Sequence, residues 1–170
     1  IINMKNLFIY FSAIALLILG ACDSLTPELD YQEEPALKSA KKVLNFRAHL
    51  SGENSMATGE AIFQLNTADM KLSYKLIVAN LENVTMAHIH LAPKPGQSGP
   101  PVVWLYPSSP PPTLIEGTTN GILSEGMVEI SQELVEAMYA GRTYVNVHTS
   151  AYPGGEINGW IEGNMPKGMN

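Results

Sequence analysis

The sequence predicts an all-β domain, an antiparallel sandwich or barrel of about eight strands with one short helix. Three observations predict it. Apolar and polar residues alternate two by two, as where Phe46, Ala48 and Leu50 interleave with Arg47 and His49, which is the period of a half-buried strand. Fourteen glycines and 12 prolines cut the apolar runs into short pieces, the punctuation of a turn-rich β fold. Only one internal stretch, residues 131–141, combines helical spacing with end signals. No internal repeat at a fixed period is visible.

The strand pattern begins at Val43 and runs through Leu50, and Ser51-Gly52-Glu53-Asn54 reads as a turn. Residues 57–65 form the second strand, ending at Asn66-Thr67-Ala68-Asp69. Residues 72–79 form the third, with Leu72, Tyr74, Leu76 and Val78 on one face. The fourth covers 84–91, and the fifth covers 102–106 between two proline-rich loops. The sixth covers 121–130, with an interruption expected around Glu125-Gly126. Ser131 then suits an N-cap, and Leu134, Val135, Ala137 and Met138 supply an apolar helix face. Gly141 suits the helix end. Residues 143–149 form the seventh strand, Pro153-Gly154-Gly155 turns, and 156–161 return as the eighth, so that the last two strands make a hairpin.

The N-terminus reads differently. Lys5 is the only charge in the first 21 residues, and an apolar run follows from Leu7 to Leu19. A basic start, a short apolar centre and small residues before a cut site make a secretory signal. The run is short for a membrane span, which needs about 20 residues. Residues 1–3 precede the first methionine and read as an upstream extension. Leu19-Gly20-Ala21-Cys22 resembles the lipobox of bacterial lipoproteins. The resemblance implies diacylglycerol transfer to Cys22, cleavage before it, and an exported protein held at the cell envelope by lipid. Cys22 is the only cysteine, so no intramolecular disulfide can form. Residues 22–42 are polar and acidic and read as a flexible tether, with a short helix allowed over 36–42. The expected organisation is therefore signal 1–21, lipidated tether 22–42, β domain 43–163 and tail 164–170.

Ten Lys and Arg stand against 16 Asp and Glu, a net charge of −6. Without a basic patch, nucleic acid is not an expected partner. An acidic surface also gains nothing from anionic headgroups, so lipid rather than charge must hold the chain to a membrane. No phosphate loop, nucleophile elbow or paired-carboxylate motif is visible.

Three of the four histidines fall in two strands. His88 and His90 lie in Met86-Ala87-His88-Ile89-His90-Leu91, and His148 lies in Tyr144-Val145-Asn146-Val147-His148-Thr149. Strand parity puts His88 and His90 on one face and Ala87, Ile89 and Leu91 on the other. Tyr144, Asn146 and His148 likewise oppose Val145 and Val147. The apolar sets are the core candidates, which leaves the histidines on an outer or loop-covered face within reach of a ligand. Two imidazoles about 7 Å apart at their α-carbons can converge on one ion. A third from a neighbouring strand would complete a set suited to zinc or copper. The plainer alternative is partly exposed histidines bonded to loops.

Beyond parity, a set of motifs resembles the CHRD domain, first recognised in chordin and present in many microbial secreted proteins. The motifs are Phe46-Arg47-Ala48-His49-Leu50-Ser51-Gly52-Glu53-Asn54, Ala57-Thr58-Gly59-Glu60-Ala61, Leu72-Ser73-Tyr74, Ala87-His88-Ile89-His90, Gly99-Pro100-Pro101-Val102-Val103 and Tyr144-Val145-Asn146-Val147-His148-Thr149 with Pro153-Gly154-Gly155-Glu156-Ile157-Asn158-Gly159. The resemblance runs from about Val43 to Glu162. It implies a sandwich or barrel, immunoglobulin-like or superoxide-dismutase-like, with His88, His90 and His148 at its most recognisable positions. His49 matches no family histidine and reads as a surface residue. Two departures stand out. The loop after Asn54 is shortened, and Leu91-Ala92-Pro93 replaces the family's frequent Cys-Gly-Pro, removing one soft metal ligand.

Glu156 is a candidate accessory, joining a metal site or pairing with His148. Trp104, Tyr106, Tyr152 and Trp160 either line an aromatic binding surface or close a barrel end. Three functions compete: a surface module binding an ion or an extracellular protein or matrix partner, a metalloenzyme resembling copper-zinc superoxide dismutase, and a structural envelope protein with no ligand. Only three histidines share the candidate site, so its ligand set is sparse for redox turnover, and the balance lies against an enzyme.

Overall fold

The structure is a computed structural model and describes residues 42–163. The expected signal, Cys22, nearly all of the tether and the tail lie outside the described residues.

β1 (Val43–Ser51) and β2 (Thr58–Asn66) form an antiparallel hairpin in unbroken register from Val43↔Asn66 to Ser51↔Thr58. Their burial alternates strictly, with Leu44, Phe46, Ala48 and Leu50 inward on β1 and Ala61, Phe63 and Leu65 inward on β2. β2 then pairs with the first half of β3 (Lys71–Leu91), where Leu72, Tyr74, Leu76 and Val78 point into the core as their spacing predicts.

β3 merges what the sequence divides into a third and a fourth strand. In the gap between those two expected strands, Asn80 and Asn83 both adopt positive φ, 58° and 53°. Asparagine tolerates that region better than most residues. The ladder absorbs the two residues as register shifts rather than ending. β5 (Ile115–Glu129) pairs straight across them, with Leu81↔Thr119 and Glu82↔Thr118. The second half of β3 takes new neighbours, β4 (Pro101–Tyr106) and β6 (Thr143–Thr149).

β5 also departs from expectation. It starts at Ile115 rather than residue 121, and it is not interrupted at Glu125-Gly126. Gly126 faces Tyr74, and a Cβ there would lie 2.9 Å from the tyrosine oxygen. The glycine makes room for that ring instead of breaking the strand. The Tyr74 hydroxyl donates to the Leu105 carbonyl at 3.2 Å.

α1 (Gln132–Tyr139) has Ser131 as N-cap, its side chain accepting from the Leu134 N–H at 3.2 Å. Gly141, at φ 64°, follows its end. The expected eighth strand is split into β7 (Ile157–Trp160) and β8 (Glu162–Gly163). β7 pairs with β6 and touches β1 at Ser51↔Asn158, while β8 pairs with β1.

The order β2-β1-β7-β6-β3 returns to β2 through the β2–β3 ladder. Of the two expected architectures the domain is therefore the barrel. Its interior is filled by side chains such as Leu50, Phe63, Leu76, Leu81, Ile89 and Ile157, all 0–1% exposed. Each such side chain contributes about 1.5–3 kcal/mol by leaving water. The histidines lie on the opposite face of the strands.

Candidate metal centre

Parity places the site, and register assembles it. On β3, Ala87 and Ile89 point inward and are fully buried, so His88 and His90 point out of the barrel. On β6, Val145 and Val147 point inward, so Tyr144, Asn146 and His148 point out. The two strands pair with His88 opposite Asn146, His90 opposite Tyr144 and Met86 opposite His148. His148 therefore sits diagonally next to His88, on the same outer face.

The expected accessibility does not hold. His88, His90 and His148 are only 3, 8 and 6% exposed. Neighbouring side chains and two loops cover them. Trp104, paired with His88 from β4, meets that ring edge to face at 4.2 Å. Tyr144 stacks on His90 at 4.8 Å and 17°. The loop between β3 and β4 brings the Gly99 carbonyl to 2.9 Å from His90 Nδ1. The loop after β6 brings the Pro153 carbonyl to 2.8 Å from His148 Nδ1. Gly99 has to be glycine, because a Cβ would overlap the Leu91 carbonyl where the loop folds back.

These carbonyls decide the proton positions. A carbonyl oxygen only accepts, so His90 and His148 each carry hydrogen on Nδ1. In its uncharged form each ring then has a bare lone pair on Nε2. This is how structures prepare a histidine to bind a metal through Nε2. His90 Nε2 and His88 Nε2 are buried and have no hydrogen-bond partner. Such orphaned buried nitrogens cost stability and call for an explanation.

His88 Nδ1 lies 3.4 Å from His148 Nε2. That is long for a hydrogen bond. It matches the separation of two nitrogens on one tetrahedral zinc, about 3.4 Å for bonds of 2.0–2.1 Å. One ring nitrogen from each of the three histidines lies within 4.8 Å of the others, so a modest closing of the rings brings all three onto one ion.

The electrostatics agree with the donor set. Burial, with the His148 and His90 charges adding, lowers the His88 pKa from 6.5 to about 4. Burial also lowers that of His148, against the opposing effect of its bond to Pro153 and with a further lowering from His90. Near neutral pH these two rings are uncharged, the form that ligates metals. The described residues thus contain a three-histidine group able to hold a metal ion.

Glu156 is placed elsewhere. Its Oε1 accepts from the Ser55 hydroxyl and its Oε2 from the Thr149 hydroxyl, both at 2.7 Å. It does not pair with His148, whose Nδ1 is bonded to Pro153. Its role is to pin the loop over the site, together with the Glu156 N–H donating to Val147 O at 2.8 Å. His49 lies away from the group, exposed and bonded to Glu60 at 2.6 Å. The four aromatics neither form one surface nor close one end. Trp104 covers His88, Tyr106 packs on the core, Trp160 leans on Tyr144 at 5.1 Å, and Tyr152 is 41% exposed.

Gly99, Tyr144 and Pro153 are the residues that sequence reasoning did not assign to the site. Tyr144 had a signal, since it shares parity with His148. Gly99 and Pro153 act through backbone carbonyls and had none of their own.

A family model described as CHRD domain matches residues 46–161. No curated protein matches the chain. No solved structure matches it.

Proposed function

This chain belongs to the CHRD domain family, and from that premise we propose that it is a binding module, held at the cell envelope by lipid on Cys22, that takes one zinc or copper ion through His88, His90 and His148. The observation that carries the reading is the pair of buried Nε2 atoms without partners, one of them on a ring whose Nδ1 is fixed by a loop carbonyl. His90 and His148 would bind through Nε2, and His88 through either ring nitrogen. The carbonyls of Gly99 and Pro153 hold two of the rings in the right tautomer, and Trp104 and Tyr144 keep water from them. A bound ion would supply a fixed positive charge beneath the two loops, stiffening the face that meets a partner at the envelope.

Burial favours holding over turnover. A redox enzyme of the superoxide-dismutase type needs a metal position that substrate can reach. These three histidines are at most 8% exposed.

The test is elemental analysis and calorimetry of the full chain. One zinc or copper per chain is expected, and none in the chain carrying His88→Ala with His90→Ala. Equal metal content in both chains removes the reading. The anchoring half is tested separately by Cys22→Ser, which should abolish incorporation of labelled palmitate. Continued labelling rules out Cys22 as the acceptor.

A further inference from the structure

We infer that the outer face of β1, β7 and β8 is a saccharide-binding groove with Trp160 as its stacking platform. This inference does not rest on the metal reading. Cross-strand register builds the groove. His49 faces Glu60 across β1 and β2, Ser51 faces Asn158 across β1 and β7, and Arg47 faces Glu162 across β1 and β8. All six of these side chains belong to exposed residues. Gly159 forms part of the floor, because its missing side chain lets β7 lie against the His49 carbonyl.

The result is a cleft of about 530 Å³. That is the size of a small-molecule site. A second cleft of about 290 Å³ shares Asn158 and Trp160 with the first and is completed by residues including Gln97 and Asn146. One indole therefore stands between two polar clefts. Tyr144, its cross-strand neighbour on the same face, lies against it at 5.1 Å and also lines the second cleft.

The chemistry selects the ligand class. A sugar ring offers an apolar C–H face, which lies on an aromatic ring, and an edge of hydroxyls. Those hydroxyls pair with planar groups bearing several donors or acceptors, which Arg47, Asn158 and Glu162 provide. Among the described residues neither Arg47 nor Glu162 makes an ion pair, so both keep their hydrogen-bonding capacity for a ligand. Nucleic acid needs a basic surface, and this cleft sets Glu60 and Glu162 against one arginine in a chain of net charge −6. The two carboxylates also disfavour sulfated or phosphorylated sugars. A polar lining does not suit an apolar ligand. A neutral saccharide chain fits, one unit on each side of Trp160.

The test uses the full chain, titrated by calorimetry with short neutral oligomers of β-1,4-linked glucose, β-1,4-linked N-acetylglucosamine and α-1,4-linked glucose. At least one should bind saturably and change the tryptophan emission. Trp160→Ala should weaken that binding about tenfold, as loss of one stacked ring does elsewhere. Asn158→Ala and Glu162→Gln alter exposed side chains, and each should also weaken it while leaving the circular dichroism spectrum unchanged. Binding of the saccharide by the native chain should be the same with zinc and with chelator. Binding of none of the oligomers, binding that survives both Trp160→Ala and Asn158→Ala, or binding lost on chelation would each overturn the inference.

Discussion

His88 Nδ1 lies 3.4 Å from His148 Nε2, although sixty residues separate them in the chain. The closeness follows from one register relationship. β3 and β6 pair with Met86 opposite His148, so His148 stands one diagonal step from His88 on the outer face. Both rings are buried there and uncharged near neutral pH, and His88 and His90 each keep a buried nitrogen without a partner. The stability and pH response of the domain depend on this arrangement, and so does the metal binding proposed for it.

Metal should stabilise the fold. At free zinc a hundredfold above its dissociation constant, the native state gains about 2.7 kcal/mol if the unfolded chain does not bind. Urea unfolding of the full chain with zinc and with chelator measures the gain, and His148→Ala should abolish it. An equal shift of midpoint in native and variant chains would assign the effect to another site.

Acid should already destabilise the metal-free fold between pH 7 and pH 5. The unfolded chain protonates the His88 ring near pH 6.5, and the folded chain only near pH 4. Between those values the unfolded state binds more protons, so stability rises with pH and is lost as pH falls. From pH 7 to pH 5 the loss attributable to His88 is about 2 kcal/mol. His148 is shifted in the same direction and adds to it. Denaturation midpoints at the two pH values measure the loss, and His88→Gln should make it smaller. A native midpoint that does not move would show that the ring is not held neutral.

Glu156 should matter for stability more than for metal. Its carboxylate accepts from Ser55 and Thr149, and hydrogen bonds to a charged group contribute about 1.5–3 kcal/mol each. Glu156→Ala is expected to cost about 2 kcal/mol in urea unfolding. Its effect on zinc affinity should stay below the roughly 10–100-fold loss typical of outer-shell partners. A larger loss in calorimetry would make it part of the centre.

Gly159 should tolerate no side chain. A Cβ there overlaps the His49 carbonyl, so Gly159→Ala must push β7 away from β1 where the barrel closes. The expected cost is at least about 2 kcal/mol, read as a lower urea midpoint. A midpoint within error of the native one would mean that the seam between these strands is looser than the structure has it.

Most of the fold was legible because strand parity is local. Each of Phe46, Tyr74, Ile89 and Val147 is assigned to the core by its immediate neighbours, and each is there. The misread boundaries share one cause. Asn80 and Asn83 carry turn chemistry and do take turn-like φ, but the β5 ladder continues past them. Gly126 looks like a strand breaker until Tyr74 is seen lying over it. In both places a partner distant in sequence outweighs the local preference.

The candidate centre was legible in its ligands and not in its cover. Parity put His88, His90 and His148 outside the core, and their clustering matches that expectation. Their burial depends on Gly99, Trp104, Tyr144 and Pro153, which arrive from other strands and loops. Glu156 was a candidate by position alone, and its two hydroxyl partners direct it to the loop instead.

The sequence by itself determined the β period, the inward and outward faces, the capped helix and the three histidines, and it supplies the lipobox-like Leu19-Gly20-Ala21-Cys22 outside the described residues. All of these are written within a few consecutive residues. Only the tertiary structure decided that the sheet closes as a barrel, that β3 is one strand, that His148 meets His88, and that two loop carbonyls hold the rings of His90 and His148 through Nδ1. Those outcomes depend on register between strands and on loop closure. Both are set by the best joint packing of distant segments, which no short window of sequence contains.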